Sequence, residues 1–240
     1  MADGGDERGG VLVVVAHPDD AEFMCAGAVA RWVKEGRRVD YVLCTSGDKG
    51  TSDPAMSPAI LAEIRQREQR SACDVLGVSD ISFLGHEDGV LEPTLELRRE
   101  IVREIRRFRP SVVVCQDPTT RWTAQQFLNH PDHRACGSVT LDSVYPSARD
   151  PLVFPDLLAA GFEPHKVEEL YIGGTSSADV WIDIGPTIDI KVRALKEHDS
   201  QVNNGQREWD ISEFIYSRAR SIAEGQDIEY AEAFKYMRLR

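Results

Sequence analysis

Short, strongly apolar runs alternate along this chain with longer segments of helical periodicity, and this alternation limits the possible folds more than any other feature. The first run, VLVVVA at residues 11–16, is followed by a helix-like segment from about Asp20 to Glu35 and then by RVDYVLCT at 38–45. Apolar runs without polar alternation are typical of strands that are buried on both faces of a parallel sheet. The pattern therefore predicts β-α-β units.

The alternation continues through the first two thirds of the chain and becomes less regular afterwards. The other strand-like runs are ISFL, SVVVCQ, LYI and VWIDI, at residues 81–84, 111–116, 170–172 and 180–184, and the other helix-like segments cover about 59–76, 94–108, 131–145, 185–198 and 209–224. Strands that alternate with helices predict a Rossmann-like α/β fold, a three-layer sandwich around a mostly parallel sheet. In such folds ligands bind beyond the carboxyl ends of the strands.

Composition and charge limit the domain organisation and the partners. A chain of 240 residues with 42% apolar and 28% charged residues suits one large domain. We assign residues 11–240 to that domain and residues 1–10, MADGGDERGG, to a disordered tail without the apolar segment of a secretory signal. The net charge of −12 argues against nucleic acid as a partner, and no apolar run approaches the roughly 18 residues of a membrane span. We therefore expect a cytoplasmic protein with neither nucleic-acid nor membrane partners.

The segment AHPDDAE, residues 16–22, directly follows the first predicted strand. Proline at the first helical position and aspartate in the first turn are ordinary features of a helix start, but they do not explain His17. Residues 130–133 read HPDH and also lie where a polar loop enters a helix. His130 and His133 are three positions apart, so both can project to one side of the helix start. The two segments are expected to meet at the carboxyl edge of the sheet.

Histidine and aspartate side chains in these two segments indicate a metal site. Two imidazoles and one carboxylate, with open coordination positions, are the ligands of a catalytic zinc or a non-haem iron(II) ion. We take His17, Asp20 and His133 as the ligands. Zinc is the expected ion, and iron(II) accepts the same side chains.

The remaining polar residues of the two segments suit catalytic roles. Asp19 is left beside the metal without binding it, which is the place of a general base that acts on a metal-bound water. His130 is left as an unbound imidazole. When protonated, it could stabilise an oxyanion or protonate a leaving amine, and Asp132 could orient it.

Further motifs occur between and after the two histidine-containing segments. They are R-x-x-E-x-x-x-A-x-x-x-L-G at 65–77, FLGHEDGVL at 83–91 and HDSQ at 198–201. In this order, and with AHPDDAE and HPDH, they resemble the LmbE-like, or PIG-L, family of zinc-dependent N-acetylglucosamine deacetylases, over roughly residues 11–201. The resemblance implies a hydrolase that removes the acetyl group from a small-molecule N-acetylated amino sugar, with the ligands and the base assigned above.

The resemblance also implies residues that contact the substrate. Arg65 would lie near a sugar hydroxyl with Glu68 beside it, although an i,i+3 surface ion pair would give the same sequence pattern. His198 and Gln201 would line the pocket, or else form an ordinary helix end with a solvated glutamine.

Two other polar or aromatic residues are candidates for substrate contacts on the sequence alone. Asp88 either sits at the pocket rim or is a simple turn residue in the sequence EDG. Trp122, in the loop before HPDH, either stacks on a sugar ring or lies at an interface between copies of the chain. The second alternative would make the protein a homo-oligomer.

Two other functions account for part of the pattern. A non-haem iron oxygenase uses the same two-histidine, one-carboxylate triad, and a non-catalytic sugar-binding module could keep the fold without the chemistry. The α/β alternation, with ligands placed around helix-entry prolines, favours the hydrolase. Dinucleotide binding is disfavoured because the first βα turn is HPDD and contains no G-x-G-x-x-G.

Overall fold

Strands and helices alternate along most of the chain in the computed structural model, which describes residues 9–122, 128–203 and 210–240. The strands are β1 (Val11–Val15), β2 (Val39–Thr45), β3 (Asp80–His86), β4 (Val112–Gln116), β5 (Glu169–Gly173), β6 (Val180–Asp183) and β7 (Ala231–Arg238). The helices are α1 (Asp20–Met24), α2 (Ala26–Lys34), α3 (Pro58–Leu76), α4 (Leu95–Phe108), α5 (Pro131–Asp142), α6 (Pro155–Ala159), α7 (Ile188–Lys196), α8 (Asp199–Val202) and α9 (Ile211–Ile222), and a π-helical turn at Ser143–Ser147 follows α5.

In the described part of the chain, the strands form one seven-stranded sheet in the order β3-β2-β1-β4-β5-β7-β6. The first five strands of this order are parallel to one another, and β7 is antiparallel to both β5 and β6. The predicted Rossmann-like fold with a mostly parallel sheet is confirmed. The division into a tail at residues 1–10 and one domain at 11–240 stays a prediction, since most of the tail lies outside the described residues.

Helices cover both faces of the sheet, and β1 shows why its sequence lacks polar alternation. Leu12 and Val14 pack on one face in a cluster with side chains of α4 and α5. Val11, Val13 and Val15 pack on the opposite face with side chains of α2 and α3. Every position of the strand is therefore buried, and only apolar side chains are stable there.

The order of the strands brings the two histidine-containing segments together. The chain runs from β1 to β2 and β3 on one side and then returns to place β4 on the other side of β1. The loops after β1 and β4 consequently diverge at a topological switch point, which is where open α/β sheets bind ligands. AHPDDAE lies after β1, and the loop after β4 leads into α5 at HPDH.

The helix predicted from Asp20 to Glu35 is divided into α1 and α2. Cys25, with φ −144°, breaks the first helix. The backbone N–H groups of Gly27 and Ala28, in the first turn of α2, donate to the Glu232 carboxylate of β7 at 2.9 and 2.8 Å. A buried carboxylate at a helix N-terminus is stabilised by such free N–H groups. This partner comes from the far end of the chain, so no local sequence pattern predicts the second helix start.

Strand β7 was not predicted from the sequence. Its residues, AEAFKYMR, mix charged and apolar side chains, and two of its charged side chains have partners elsewhere in the fold. Glu232 accepts from Lys191 Nζ at 2.6 Å, and Lys235 donates to the carboxylate of Asp179 at 2.5 Å. The strand is therefore specified by its position between β5 and β6.

Two further features of the described residues concern the cysteines and the helix lengths. All five cysteines are buried and free, and such cysteines pack as small apolar side chains. Within the described ranges, no helix has both the length and the apolar character needed to cross a bilayer.

Candidate metal centre

The three predicted ligands come together at the carboxyl edge of the sheet. His17 Nδ1 lies 3.2 Å from Asp20 Oδ2, and His133 Nε2 lies 3.0 Å from Asp20 Oδ1. One potential ligand atom from each residue lies within 4.8 Å of the other two. The backbone N–H of His17 also donates to Asp20 Oδ2 at 2.7 Å, which fixes the carboxylate against the end of β1. The three groups can hold one ion, and the assignment of these residues as ligands stays a prediction.

The second nitrogen of each histidine has an oxygen partner. His17 Nε2 lies 3.1 Å from Asp132 Oδ2 and 3.0 Å from Asp88 Oδ1. His133 Nδ1 lies 3.0 Å from Asn129 Oδ1. Histidines that bind metals usually donate their other ring N–H to an oxygen in this way, which fixes the tautomer. The network thus leaves His17 Nδ1 and His133 Nε2, which both face Asp20, as the ring nitrogens available to a metal ion.

Charge at this site favours a bound cation. Burial lowers the pKa of His17, but the carboxylates of Asp20, Asp132 and Asp88 outweigh burial and raise this pKa to about 12. Burial raises the pKa of Asp20, whereas His133 and His17 hold it well below its usual range. The carboxylates thus stabilise a positive charge strongly. A divalent cation supplies such a charge, and the donor set of two imidazoles and one carboxylate fits one.

A second group of potential ligands, formed by His17, Asp88, His130 and Asp132, overlaps the first through His17. A neutral imidazole offers one lone pair, so His17 cannot serve both groups at once. Asp132 is already engaged, since its carboxylate accepts from the backbone N–H groups of Gly89 and Leu91. These bonds favour the group of His17, Asp20 and His133.

Asp132 holds His17 in place, which corrects the expectation that it orients His130. Its side chain is 0% exposed, and Oδ2 contacts His17 Nε2 at 3.1 Å. The distance from Asp132 Oδ1 to His130 Nδ1 is 3.8 Å, too long for a hydrogen bond. Because α5 begins between the two histidines, its first turn directs the aspartate inward, toward β1.

Asp19 lies beside the site in an environment that suits a base. Among the described residues, the side chains close enough to share a metal do not include it. Burial raises the pKa of its carboxyl, and the neighbouring Asp20 also raises it, while Arg65 partly offsets both effects. Arg65 Nη2 lies 3.2 Å from Asp19 Oδ2. A carboxylate with a raised pKa accepts a proton more readily than an exposed aspartate does.

His130 caps α5, and its surroundings disfavour the protonated imidazole that was expected from the sequence. Its Nδ1 accepts the backbone N–H of Asp132 at 3.2 Å. Burial and the neighbouring His17 lower the pKa of His130, and the Asp132 carboxylate offsets only part of this effect. Since Nδ1 is the acceptor, Nε2 carries the proton and can donate a hydrogen bond. The ring lies 4.7 Å from that of His17, centroid to centroid, so this donor is next to the site.

Arg65 and Glu68 have partners within the protein and do not form the surface ion pair with each other that was one interpretation of the sequence. Arg65 is only 4% exposed and donates to the carbonyl oxygens of Gly47 and Pro18 at 2.9 and 2.6 Å. Glu68 accepts from the backbone N–H and the hydroxyl of Ser200, both at 2.7 Å. Helix α3 packs against the loops at the carboxyl edge, so these side chains hold loops, and their contact with a substrate stays a prediction.

The other predicted substrate contacts also differ in position. His198 is fully buried, with Nε2 3.1 Å from Glu22 Oε2, so it lies beneath the surface of the site. Gln201 donates to the Gly50 carbonyl at 3.1 Å and ties α8 to the loop after β2. The partners that the structure gives these two side chains are thus other residues of the protein, and their contact with a substrate stays a prediction.

Asp88 and Trp122 have opposite exposures. Asp88 is buried behind His17 and not at a rim, and although burial raises its pKa, the hydrogen bond from His17 lowers it to about 2. Trp122 is 67% exposed and pairs with Leu128 in an isolated β-bridge. Trp122 is therefore the predicted substrate contact that is free to meet a ligand, and its role stays a prediction. The segment 123–127 lies outside the described residues.

Two residues of the site were not predicted from the sequence. Asn129 binds His133 Nδ1 and directly precedes HPDH, so its position was a usable signal. Gln69 accepts the backbone N–H of Asp19 at 3.0 Å. Gln69 lies one helical turn after Arg65, so both side chains project from the same face of α3. That spacing was the signal by which Gln69 could have been predicted as a neighbour of the site.

Comparisons with known proteins agree with this geometry. The family profile described as PIG-L, GlcNAc-PI de-N-acetylase, matches residues 12–144. The chain is 31% identical to a diacetylchitobiose deacetylase of Thermococcus kodakarensis, over 95% of this chain and 82% of that protein. It is 29% identical to a probable N-acetyl-alpha-D-glucosaminyl L-malate deacetylase 2 of Bacillus subtilis, over 83% of this chain and 86% of that one. The crystal structure of N,N'-diacetylchitobiose deacetylase from Pyrococcus horikoshii superposes with a TM-score of 0.86 at 28% identity, over 95% of this chain and 83% of that one.

Proposed function

The chain belongs to the PIG-L family of de-N-acetylases, and from this premise we propose that it is a metal-dependent hydrolase that removes the acetyl group from an N-acetylglucosamine conjugate. The observation that carries the proposal is the convergence of His17, Asp20 and His133 beside the largely buried carboxylate of Asp19, which is not among the side chains close enough to share the ion. The relatives named above are deacetylases of N-acetylglucosamine-containing compounds, which supports the same substrate class.

Zinc is the ion that we propose for this site, held by His17 Nδ1, the Asp20 carboxylate and His133 Nε2. When bound, such an ion lowers the pKa of a water molecule and polarises the acetyl carbonyl. The chain itself must then move protons and stabilise charge around the acetyl carbon.

Asp19 is the proposed general base. Its carboxylate accepts a proton from the attacking water as the oxygen of that water bonds to the acetyl carbon. The raised pKa of Asp19 makes it a stronger base than an exposed aspartate. The proton held on Asp19 can then pass to the amide nitrogen as the C–N bond breaks, so that the products are acetate and the amino sugar.

His130 is the proposed donor to the developing oxyanion. Its Nδ1 is occupied by the Asp132 N–H, so Nε2–H is the atom that faces a ligand as a donor. A fixed donor stabilises charge that appears only in the transition state, and this raises kcat. A neutral imidazole is sufficient for the task, because it donates a hydrogen bond without transferring its proton.

The other functions considered for the sequence have less support. An oxygenase would use the same triad, but the named relatives are deacetylases, and an oxygenase has no use for a buried base beside its ligands. A non-catalytic module would have no need of a carboxylate such as Asp19 beside the ligands. Cytoplasmic location and a homo-oligomeric state stay predictions.

The decisive experiment measures free amine and acetate after incubation of the purified protein with a panel of N-acetylglucosaminides. The panel contains diacetylchitobiose, an N-acetylglucosaminyl malate and an N-acetylglucosaminyl inositol. We expect equal amounts of amine and acetate, loss of activity with a chelator, and recovery with zinc. The same assay with iron(II) under anaerobic conditions compares the two ions. Oxygen uptake, or no amine from any compound with metal-loaded protein, would contradict the proposal.

A further inference from the structure

Gln69 accepts a hydrogen bond from the backbone N–H of Asp19, the proposed base of the reaction. We propose that Gln69 is a positioning residue that holds Asp19 in the backbone conformation in which its carboxylate can act as the base. The inference rests on the proposed function, because it concerns the base of that reaction. Gln69 itself touches neither the substrate nor the metal ligands, and it acts through Asp19.

Asp19 has a backbone conformation that residues with a side chain rarely adopt. Its φ is 89° and its ψ is −24°, at the position that caps α1. In this region the Cβ atom is crowded by the backbone, so the conformation costs free energy for residues other than glycine, although aspartate adopts it more often than most. The Asp19 side chain makes no capping hydrogen bond to α1. The strain is therefore not offset by the usual bonds of a helix start.

Two residues of α3, one helical turn apart, hold Asp19 instead. Gln69 Oε1 accepts the Asp19 N–H at 3.0 Å. Arg65 Nη2 donates to the preceding carbonyl of Pro18 at 2.6 Å and lies 3.2 Å from Asp19 Oδ2. The carbonyl before Asp19, its N–H and its carboxylate are thus all bound to one rigid helix, and the direction of the carboxylate is fixed by these bonds.

The amide of Gln69 is itself held in one orientation. Gln69 Nε2 donates to Glu22 Oε1 at 3.0 Å, and Glu22 Oε2 lies 3.1 Å from His198 Nε2. Gln69, Glu22 and His198 are all fully buried. A carboxylate can only accept, and a backbone N–H can only donate, so the amide nitrogen must face Glu22 and the oxygen must face Asp19. Among side chains of this size that carry no titratable group, only glutamine offers both the donor and the acceptor.

The first test replaces Gln69 with methionine, which has a similar length and no hydrogen-bonding groups. Without the hydrogen bond from its N–H to Gln69, the backbone of Asp19 can relax from the strained conformation. The carboxylate then moves away from the position in which it acts as the base. Since a shift of about 1 Å in a reacting group costs on the order of 100-fold in rate, we expect kcat to fall about 10- to 100-fold. KM and the amount of bound metal should stay the same, because the ligands and the pocket surface are unaltered.

Gln66→Met is the matched control. Gln66 lies on the same helix and donates to Ser46 Oγ without contacting Asp19. It receives the same substitution, and its kcat should stay within about twofold of the wild type, because no bond to the base is lost. Equal kcat in Gln69→Met and the wild type, with both folded, would overturn the inference.

Amide hydrogen exchange of Asp19 gives a measurement that does not depend on activity. In the wild type the Asp19 N–H should be protected, and in Gln69→Met it should exchange at least about tenfold faster, while the core strands keep their protection. A merely structural role for Gln69 would lower protection throughout the protein and leave kcat per folded molecule unchanged. An unprotected Asp19 N–H in the wild type would also refute the proposal.

A reversed pair tests the same bonds should Gln69→Met fail to fold. Gln69→Glu places two carboxylates against each other and should lower kcat. Adding Glu22→Gln restores a donor opposite Glu at position 69, and kcat and Asp19 protection should recover. Failure to recover in a folded double variant would contradict the inference. An inactive wild type would contradict the proposed function instead, and the exchange measurement would still test the role of Gln69.

Discussion

Asp132 Oδ2 lies 3.1 Å from Nε2 of His17, although the two residues are 115 positions apart in the chain. The contact joins the helix that begins at HPDH to the segment that follows β1. Helix α5 thereby supplies His133 as a candidate ligand and, one residue earlier, the carboxylate that orients His17. Each of the two segments depends on the other for the geometry of the site.

Replacement of Asp132 by alanine should weaken metal binding. The carboxylate fixes the His17 ring and accepts N–H groups of Gly89 and Leu91, and loss of such an outer partner typically costs about 10- to 100-fold in metal affinity. Competition with a chelator measures the change. Asp142→Ala is the control, since Asp142 lies at the other end of α5 in an exposed pair with Arg98. Equal metal affinities of the two variants would show that Asp132 does not support the site.

His133→Ala and His130→Ala should separate metal binding from catalysis. The first change removes a proposed ligand, so the purified variant should contain little metal. The second should retain the metal and lose about 100- to 1000-fold in kcat, the usual effect of removing an oxyanion donor. Elemental analysis and steady-state kinetics give the two readouts. One tightly bound metal per chain in His133→Ala would show that the ligand set is wrong.

Asp19→Asn should remain loaded with metal and be nearly inactive. The amide keeps the size of the side chain and its bond to Arg65 through oxygen, but it cannot accept a proton. General-base catalysis contributes about 100- to 10,000-fold, so a decrease of that order in kcat is expected. Metal content and amine release measured on the same sample test this. Wild-type turnover in the variant would exclude Asp19 as the base.

Arg65→Met should move the acidic limb of the pH profile to higher pH. Burial raises the pKa of Asp19 and the Arg65 guanidinium partly lowers it, so removing this positive charge raises the pKa further. A base with a higher pKa is protonated, and therefore inactive, up to a higher pH. The dependence of kcat/KM on pH measures the shift. Arg70→Met, on the same helix and exposed, is the control that should keep the wild-type profile, and a shift of the Arg65→Met limb to lower pH would refute this reasoning.

Local patterns were sufficient to predict most elements of the fold. The uninterrupted apolar run of β1 and the glycine that ends α3, Gly77 with φ 78°, depend on neighbours in sequence and on burial alone. The break at Cys25 and strand β7 were missed because both depend on Glu232, whose partners lie in α2 and α7. A sequence pattern carries no signal for a bond between segments that are distant in the chain.

The candidate site divides in a similar way. The two motifs, their positions after β1 and before α5, and the residue types of a metal triad follow from the sequence. The sequence did not determine the partners of buried polar side chains: Asp132 binds His17 and not His130, and Arg65 binds loop carbonyls and not Glu68. Residue type sets what a side chain can bind, whereas its partner depends on which segments the sheet brings within about 3 Å of it.

The sequence by itself determined the fold class, the place of the site and the chemistry available there, because apolar periodicity and residue type act locally. Only the tertiary structure decided the orientation, the electrostatic environment and the backbone conformation of the residues at the site. The orientation of His17 depends on Asp132, the lowered pKa of His130 depends on burial and neighbouring charges, and the strained backbone of Asp19 is held by Gln69. Those contacts form only when α3 and α5 pack against the carboxyl edge of the sheet, since burial there removes water as an alternative partner.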